Sequence, residues 1–180
     1  MKISFFYKVI LFFCTAILGM SLTGIAQVVL PTYPDSIFTT YYHQRYSLFK
    51  SLPDSKRDII FLGNSINDGS EWYELFNDIR IKNRGISGDI TTGILHRLKE
   101  VTSRKPAKVF LMIGINDLGR GVSPDSVVKN ILLINDYILQ ESPSTKVYIE
   151  SILPVNASFG KFAGQVSKGV QVLRSNELLK

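Results

Sequence analysis

Three short stretches of this 180-residue chain join glycine to side chains suited to acyl chemistry. Gly63-Asn64-Ser65 follows the apolar run Ile59-Ile60-Phe61-Leu62 and offers a serine hydroxyl as a nucleophile. Gly88 lies in Asn83-Arg84-Gly85-Ile86-Ser87-Gly88-Asp89, where a residue without Cβ lets a backbone N–H approach a ligand closely. Gly114-Ile115-Asn116-Asp117 follows Val109-Phe110-Leu111-Met112-Ile113 and offers a neutral amide donor. Each stretch also has a purely local reading. Ser65 can cap a following helix, Asp89 or Thr91 can cap the next one, and Asn116 can close an Asx-turn. Taken together they describe a nucleophile beside an oxyanion hole. Ser65 would attack an acyl carbonyl, and the N–H groups of Ser65 and Gly88, with the Asn116 amide, would hold the tetrahedral oxygen. Losing one such donor costs about 10²–10³ in turnover.

That convergence requires the three stretches to end neighbouring strands. Residues 59–62, 109–113 and 147–149 running on to 153 are apolar without alternation, as strands covered on both faces are. Residues 79–83 form a shorter, weaker strand candidate. Between them the spacing predicts a short helix over 70–76 and a longer one over 91–102, with Ile94, Leu95, Leu98 and Val101 on one face. Ser123-Pro124-Asp125 is a helix start with cap, first-turn proline and an acid near the dipole. The helix it opens is expected to turn Val127, Val128, Ile131, Leu132, Ile134 and Ile138 inward and to be closed by Pro143. The aromatic-rich residues 37–52 predict a helix packed on the core, and a last helix is expected from about 166 to 179. Strand alternating with helix implies a parallel sheet with helices on both faces, and ligands bind beyond the carboxyl ends of such strands.

In this order and spacing the blocks resemble those of the SGNH hydrolase superfamily, the GDSL-type esterases and lipases. Gly63-Asn64-Ser65 matches its Gly-Asp-Ser block with Asn64 in place of aspartate, Gly88 its glycine donor, and Gly114-Ile115-Asn116-Asp117 its Gly-x-Asn-Asp block. Ile152-Leu153-Pro154-Val155-Asn156 is similar to the family's region after the fourth strand, so the resemblance runs from about Asp58 to Asn156. Its nearest branch holds platelet-activating-factor acetylhydrolase-like enzymes and carbohydrate O-acetylesterases. The resemblance implies an α/β fold, a three-layer α/β/α sandwich with a parallel sheet of flavodoxin-like order, here without its last strand and helix. It also implies a serine ester hydrolase with Ser65, Gly88 and Asn116 as site residues, no cofactor and no metal. The expected substrate is a small-molecule ester, an acylated carbohydrate in particular. The family's general base, a histidine in an Asp-x-x-His block, has no counterpart, since His43 and His96 are the chain's two histidines and neither lies in such a block. His43 reads as a surface position and His96 as lying on the polar side of its helix. The expectation is therefore a shortened chain with impaired catalysis; a site without its triad retains about 10³–10⁴ over water. The alternative is a non-catalytic carbohydrate- or ester-binding protein that keeps the crevice.

Residues 1–26 read as an export signal: Lys2 and Lys8, the apolar run from Val9 to Met20, then Gly24-Ile25-Ala26 as a cleavage pattern. The expected organisation is thus signal 1–26, an extension with a helix over 27–57, and a hydrolase domain over 58–180. The protein is expected to be periplasmic or extracellular, with no stable membrane insertion after cleavage. Cys14, the one cysteine, excludes an intramolecular disulfide and a multi-cysteine zinc site, and Phe12-Phe13 before it does not suit lipid attachment. The net charge of +6 is scattered rather than striped, which describes a solvated surface and no nucleic-acid partner. No phosphate-binding loop or Gly-x-Gly-x-x-Gly turn is present. Tyr41, Tyr42 and Trp72 have rings that could face a sugar or fill a core.

Overall fold

A computed structural model describes residues 27–55 and 57–180; the expected export signal lies outside the described residues. After an irregular lead-in and a 3₁₀ turn at Asp35–Ile37 come α1 (Thr40–Ser51), β1 (Ile59–Gly63), α2 (Ser65–Asp68), α3 (Trp72–Leu75) and β2 (Ile81–Gly85). Then follow α4 (Thr91–Ser103), β3 (Lys108–Met112), α5 (Ile115–Gly119), α6 (Pro124–Glu141) and β4 (Lys146–Ile149). A second 3₁₀ turn at Ala157–Phe159 leads to α7 (Ala163–Val166) and α8 (Gly169–Leu178). All strand pairs are parallel, in the order β2-β1-β3-β4, with Ile60 opposite Lys82 and Val109. The α/β class and the order of the strands follow the expectation from the sequence.

Alternation within the strands divides the sheet into two faces. Ile60, Leu62, Val109 and Leu111 pack with Ile94, Leu95, Leu98 and Val101 of α4 and with Val127, Ile131, Ile134 and Ile138 of α6. Val172 of α8 joins the same core. Phe61 and Phe110 point the other way. Their rings form a column that runs from Trp72 through Phe61 and Phe110 to Tyr148, with neighbouring centroids 4.4, 5.0 and 4.8 Å apart. α1 is fastened beside α4 by Tyr42 and Phe49, which are buried with Ile86. Arg104 also holds α1, donating to the carbonyls of Phe49 and Leu52 at its end while pairing with buried Glu100.

Four details depart from the sequence reading. Leu132 is exposed, because it lies about 100° around the helix from Ile131, and Tyr137 fills the inward face instead. β2 begins two residues late, since the Asp78 carbonyl accepts from the Ile81 N–H in a turn that leaves Ile79 outside. β4 stops at Ile149, and beyond it Asn176 of α8 captures both the N–H and the carbonyl of Ile152, at 2.8 and 3.0 Å. The last helix is two pieces, α7 and α8, with Gly169 opening the second.

Candidate functional site

The chain leaves β1 through Asn64, whose side-chain oxygen accepts the N–H of Ile66 at 3.0 Å. Asn64 is thus the cap of α2, and the local reading that made Ser65 the cap is corrected: Ser65 is the first helical residue. Because the capping role is filled, the Ser65 hydroxyl is left exposed, with no hydrogen-bond partner among the described residues. The turn is anchored from behind. Asp68 accepts from Tyr41 at 2.8 Å and from the Ser87 N–H at 2.9 Å, and pairs with Arg45 at 3.1 Å. Asn83 of β2 donates to the carbonyls of Asn67 and Ser70. Gly85 lies so close under this turn that a Cβ there would sit 2.1 Å from the Asp68 nitrogen.

Behind the loop after β2 stands a buried ion pair. Arg97 donates to Asp89 at 2.9 Å and reaches the Gly63 carbonyl at 3.3 Å, so one guanidinium ties the end of β1 to the Gly88 loop. Burial pushes the Asp89 carboxyl up to about 6, with Arg97 pulling it the other way. The Asp89 carbonyl accepts from Asn116 Nδ2 at 2.9 Å.

The loop after β3 turns at Gly114, whose φ of 121° lies in the region glycine favours. A Cβ there would also meet Ile152 at 2.7 Å. Asp117, the last residue of this block, serves another helix: its carboxylate accepts the Thr91 N–H at 3.0 and 3.1 Å and the Thr91 hydroxyl at 2.6 Å. Asn130 of α6 donates to the same hydroxyl at 2.8 Å. Burial raises the Asp117 carboxyl, with the Thr91 hydrogen bonds acting against it.

Ser65 and Asn116 line one cavity of about 590 Å³. Its other walls are mostly apolar: Ile66, Ile115, Leu153, Pro154, Val155, Phe159 and Phe162, with Asn156, Lys161 and Gln165 among them. Gly88 lines a different, small cleft of about 30 Å³, its φ is 81°, and its carbonyl accepts from Arg120 at 3.1 Å. Two of the three expected site residues thus line the large cavity, while Gly88 lines the small cleft, between Ser87, which donates to Asp68, and Asp89, which accepts from Asn116. Neither histidine lines the cavity. His43 contacts the Asp35 carbonyl, and His96 lies 3.4 Å from the Asp35 carboxylate. His96 is not on an open polar face as expected, because α1 and the turn before it lay Phe38, Tyr42 and Tyr46 against its ring. Burial lowers its pKa. The rings considered for a sugar are placed elsewhere too: Tyr42 is in the core, Tyr41 is bound to Asp68, and Trp72 is stacked on Phe61.

Sequence reading missed Arg97, Gln165 and Asn176, the capping roles of Asn64 and Asp117, and the pairing of Asp89 with Arg97. Arg97 carried a visible signal, a charge set between Ile94, Leu95, Leu98 and Val101 on an apolar helix face.

A model of the GDSL-like Lipase/Acylhydrolase family matches residues 61–175. The platelet-activating factor acetylhydrolase IB subunit alpha2 of Homo sapiens is 30% identical over 118 residues, 62% of this chain and 50% of that protein. The alpha1 subunit of Bos taurus is 28% identical over 107 residues, 56% of this chain and 45% of that protein. The chain spans about half the length of the curated relatives it matches. Among solved structures, one described as a candidate platelet activating factor from Streptococcus pneumonia aligns with a TM-score of 0.66 at 25% identity, over 77% of this chain and 68% of that one. A GDSL-like lipase from Bacteroides thetaiotaomicron aligns with a TM-score of 0.58 at 20% identity, over 76% and 72%, a likeness of fold.

Proposed function

We propose, on the premise that this chain belongs to the GDSL-like lipase/acylhydrolase family, that Ser65 is the nucleophile of an exported hydrolase of small esters. The observation that carries the reading is an uncommitted serine hydroxyl at the start of a helix, sharing a cavity wall with an asparagine amide. Ser65 Oγ attacks the acyl carbon. Negative charge gathers on the carbonyl oxygen, where the Ser65 N–H and Asn116 Nδ2 are the donors that the cavity supports. Gly88, which lines the small cleft, is the third donor of the expected set. Collapse of the tetrahedral intermediate releases the alcohol and leaves an acyl-serine for water to cleave. The apolar walls favour an apolar acyl group in the cavity, with the alcohol half, a carbohydrate among the candidates, toward solvent.

The serine proton must go to a base, and no histidine lines the cavity. Added imidazole therefore provides a direct test. The full chain and Ser65→Ala are assayed on p-nitrophenyl esters from acetate to octanoate, with and without imidazole, and a fluorophosphonate probe is mapped by mass spectrometry. Expected are labelling at Ser65 and Ser65-dependent turnover that rises with imidazole. Equal turnover by folded Ser65→Ala, with Ser65 unlabelled, refutes the reading.

The positions of His43 and His96 favour a second reading, an ester-binding protein without turnover. It predicts heat on titration with acetylated sugars that survives Ser65→Ala, alongside no hydrolysis under any condition.

A further inference from the structure

Asn116 is held at both ends of its amide. Nδ2 donates to the Asp89 carbonyl at 2.9 Å, and Oδ1 accepts from Gln165 Nε2 at 3.3 Å. An asparagine amide fits the same space in two orientations that exchange donor for acceptor, and its partners decide between them. A carbonyl facing one end and an amide N–H facing the other admit one orientation only. Nδ2 carries two hydrogens, so one goes to Asp89 and the second is available to the cavity that Asn116 lines.

Gln165 reaches this position from α7, far along the chain from the loops that carry Ser65 and Asn116. Its side chain rests on α5 where Gly119 leaves the helix surface bare: a Cβ on Gly119 would lie 2.9 Å from both Gln165 Cγ and Cδ. The seat on Gly119 and the hydrogen bond to Asn116 are separate contacts that fix one side chain.

We infer that Gln165 is a positioning residue, seated on Gly119, that holds the Asn116 amide with its N–H toward the acyl oxygen. The inference rests on the reading of Asn116 as an oxyanion donor. Gln165 acts by occupying the asparagine oxygen. Without that donor, the Asp89 carbonyl alone selects the orientation, and a turn of the amide that brings its oxygen toward the cavity repels the developing oxyanion.

Three variants of the full chain test it. Gln165→Glu sets a carboxylate against Asn116 Oδ1, Gln165→Met keeps the bulk and removes the donor, and Gly119→Ala displaces Gln165 without altering Asn116. The readouts are the side-chain amide resonances of Asn116 in a ¹⁵N-correlated NMR spectrum, assigned by their loss in Asn116→Asp, together with kcat, KM and Tm. The expected result is displaced Asn116 resonances in all three variants. Gln165→Glu should lower kcat by about 10²-fold, the scale of losing one oxyanion donor, with KM within about twofold, and Gln165→Met should lower it less. Unmoved Asn116 resonances in Gln165→Glu and Gly119→Ala overturn the inference, as does a kcat loss that only follows a loss of Tm. Absence of Ser65-dependent turnover in the unaltered chain overturns the esterase reading instead, and the NMR comparison still decides the role of Gln165.

Discussion

Asp117 belongs to the block that looks most like active-site sequence, yet its carboxylate is spent on Thr91. Replacing it by asparagine isolates that role. Both Thr91 donors, the N–H at 3.0 Å and the hydroxyl at 2.6 Å, point at the carboxylate, which is 2% exposed. Asparagine keeps one oxygen, which can stand where Oδ1 accepts both Thr91 donors, but its NH₂ group then replaces Oδ2 beside the Thr91 N–H and is a buried donor facing a donor. An unsatisfied buried donor costs about 1–3 kcal/mol. Relief of the charge desolvation that raises the Asp117 carboxyl offsets part of this. The net expectation for Asp117→Asn is a loss of about 1–3 kcal/mol, which for a domain of this size lowers Tm by about 2–4 °C per kcal/mol. Urea unfolding of the wild type, Asp117→Asn, Thr91→Val and the double variant closes a thermodynamic cycle. Contacting partners should couple by about 0.5–3 kcal/mol, although Thr91→Val also releases Asn130 and so carries some loss of its own. An Asp117→Asn stability within about 0.5 kcal/mol of wild type, or a coupling near zero, would falsify the assignment of Asp117 as the cap of α4.

Three further outcomes can be measured on the same preparation. Asn64→Ala should cost about 1 kcal/mol in urea unfolding, because Asn64 carries the α2 cap, whereas Ser65→Ala should stay within about 0.5 kcal/mol; the reverse ranking would return the cap to Ser65. Gly85→Ala forces backbone against backbone at 2.1 Å and should destabilise by more than about 2 kcal/mol, so that a near-wild-type Tm would contradict the close approach of β2 to α2. The Asp89 carboxyl is raised from its ordinary 3.8 to about 6, so the folded state binds its proton more tightly than the unfolded state between those values. Its contribution therefore favours the fold at pH 4 and declines as pH rises to 6. The slope of stability over that window should flatten in Asp89→Asn, and equal slopes in the two proteins would exclude the raised value.

The skeleton of the fold was legible because its signals are local. Uninterrupted apolar runs end at Gly63 and Gly114, and Ser123-Pro124 opens α6 in the structure as in the sequence. What escaped depends on contacts between distant loops. Asp117 caps a helix that begins 26 positions earlier, and Gln165 orients an asparagine 49 positions away. Neither pairing leaves a periodicity to read. Ser65 and Asn116 could be placed at one cavity because both lie beyond the carboxyl ends of the neighbouring strands β1 and β3, where position follows from topology. Gly88, with two residues between it and the end of β2, also lies beyond a carboxyl end and lines the small cleft. The extent of β4 was overread for a related reason: Ile152 is apolar because it is buried under α8, not because it continues a strand.

Trp72 is the chain's single tryptophan, and its place turns it into an optical reporter for the loop that carries Ser65. Its indole lies on the Phe61 ring at 4.4 Å, and its N–H donates to the Asn67 carbonyl, two residues beyond Ser65. Emission from this one chromophore should change when a reagent bonded to Ser65 displaces α2. Stopped-flow fluorescence can follow that change with no dye attached and no residue exchanged.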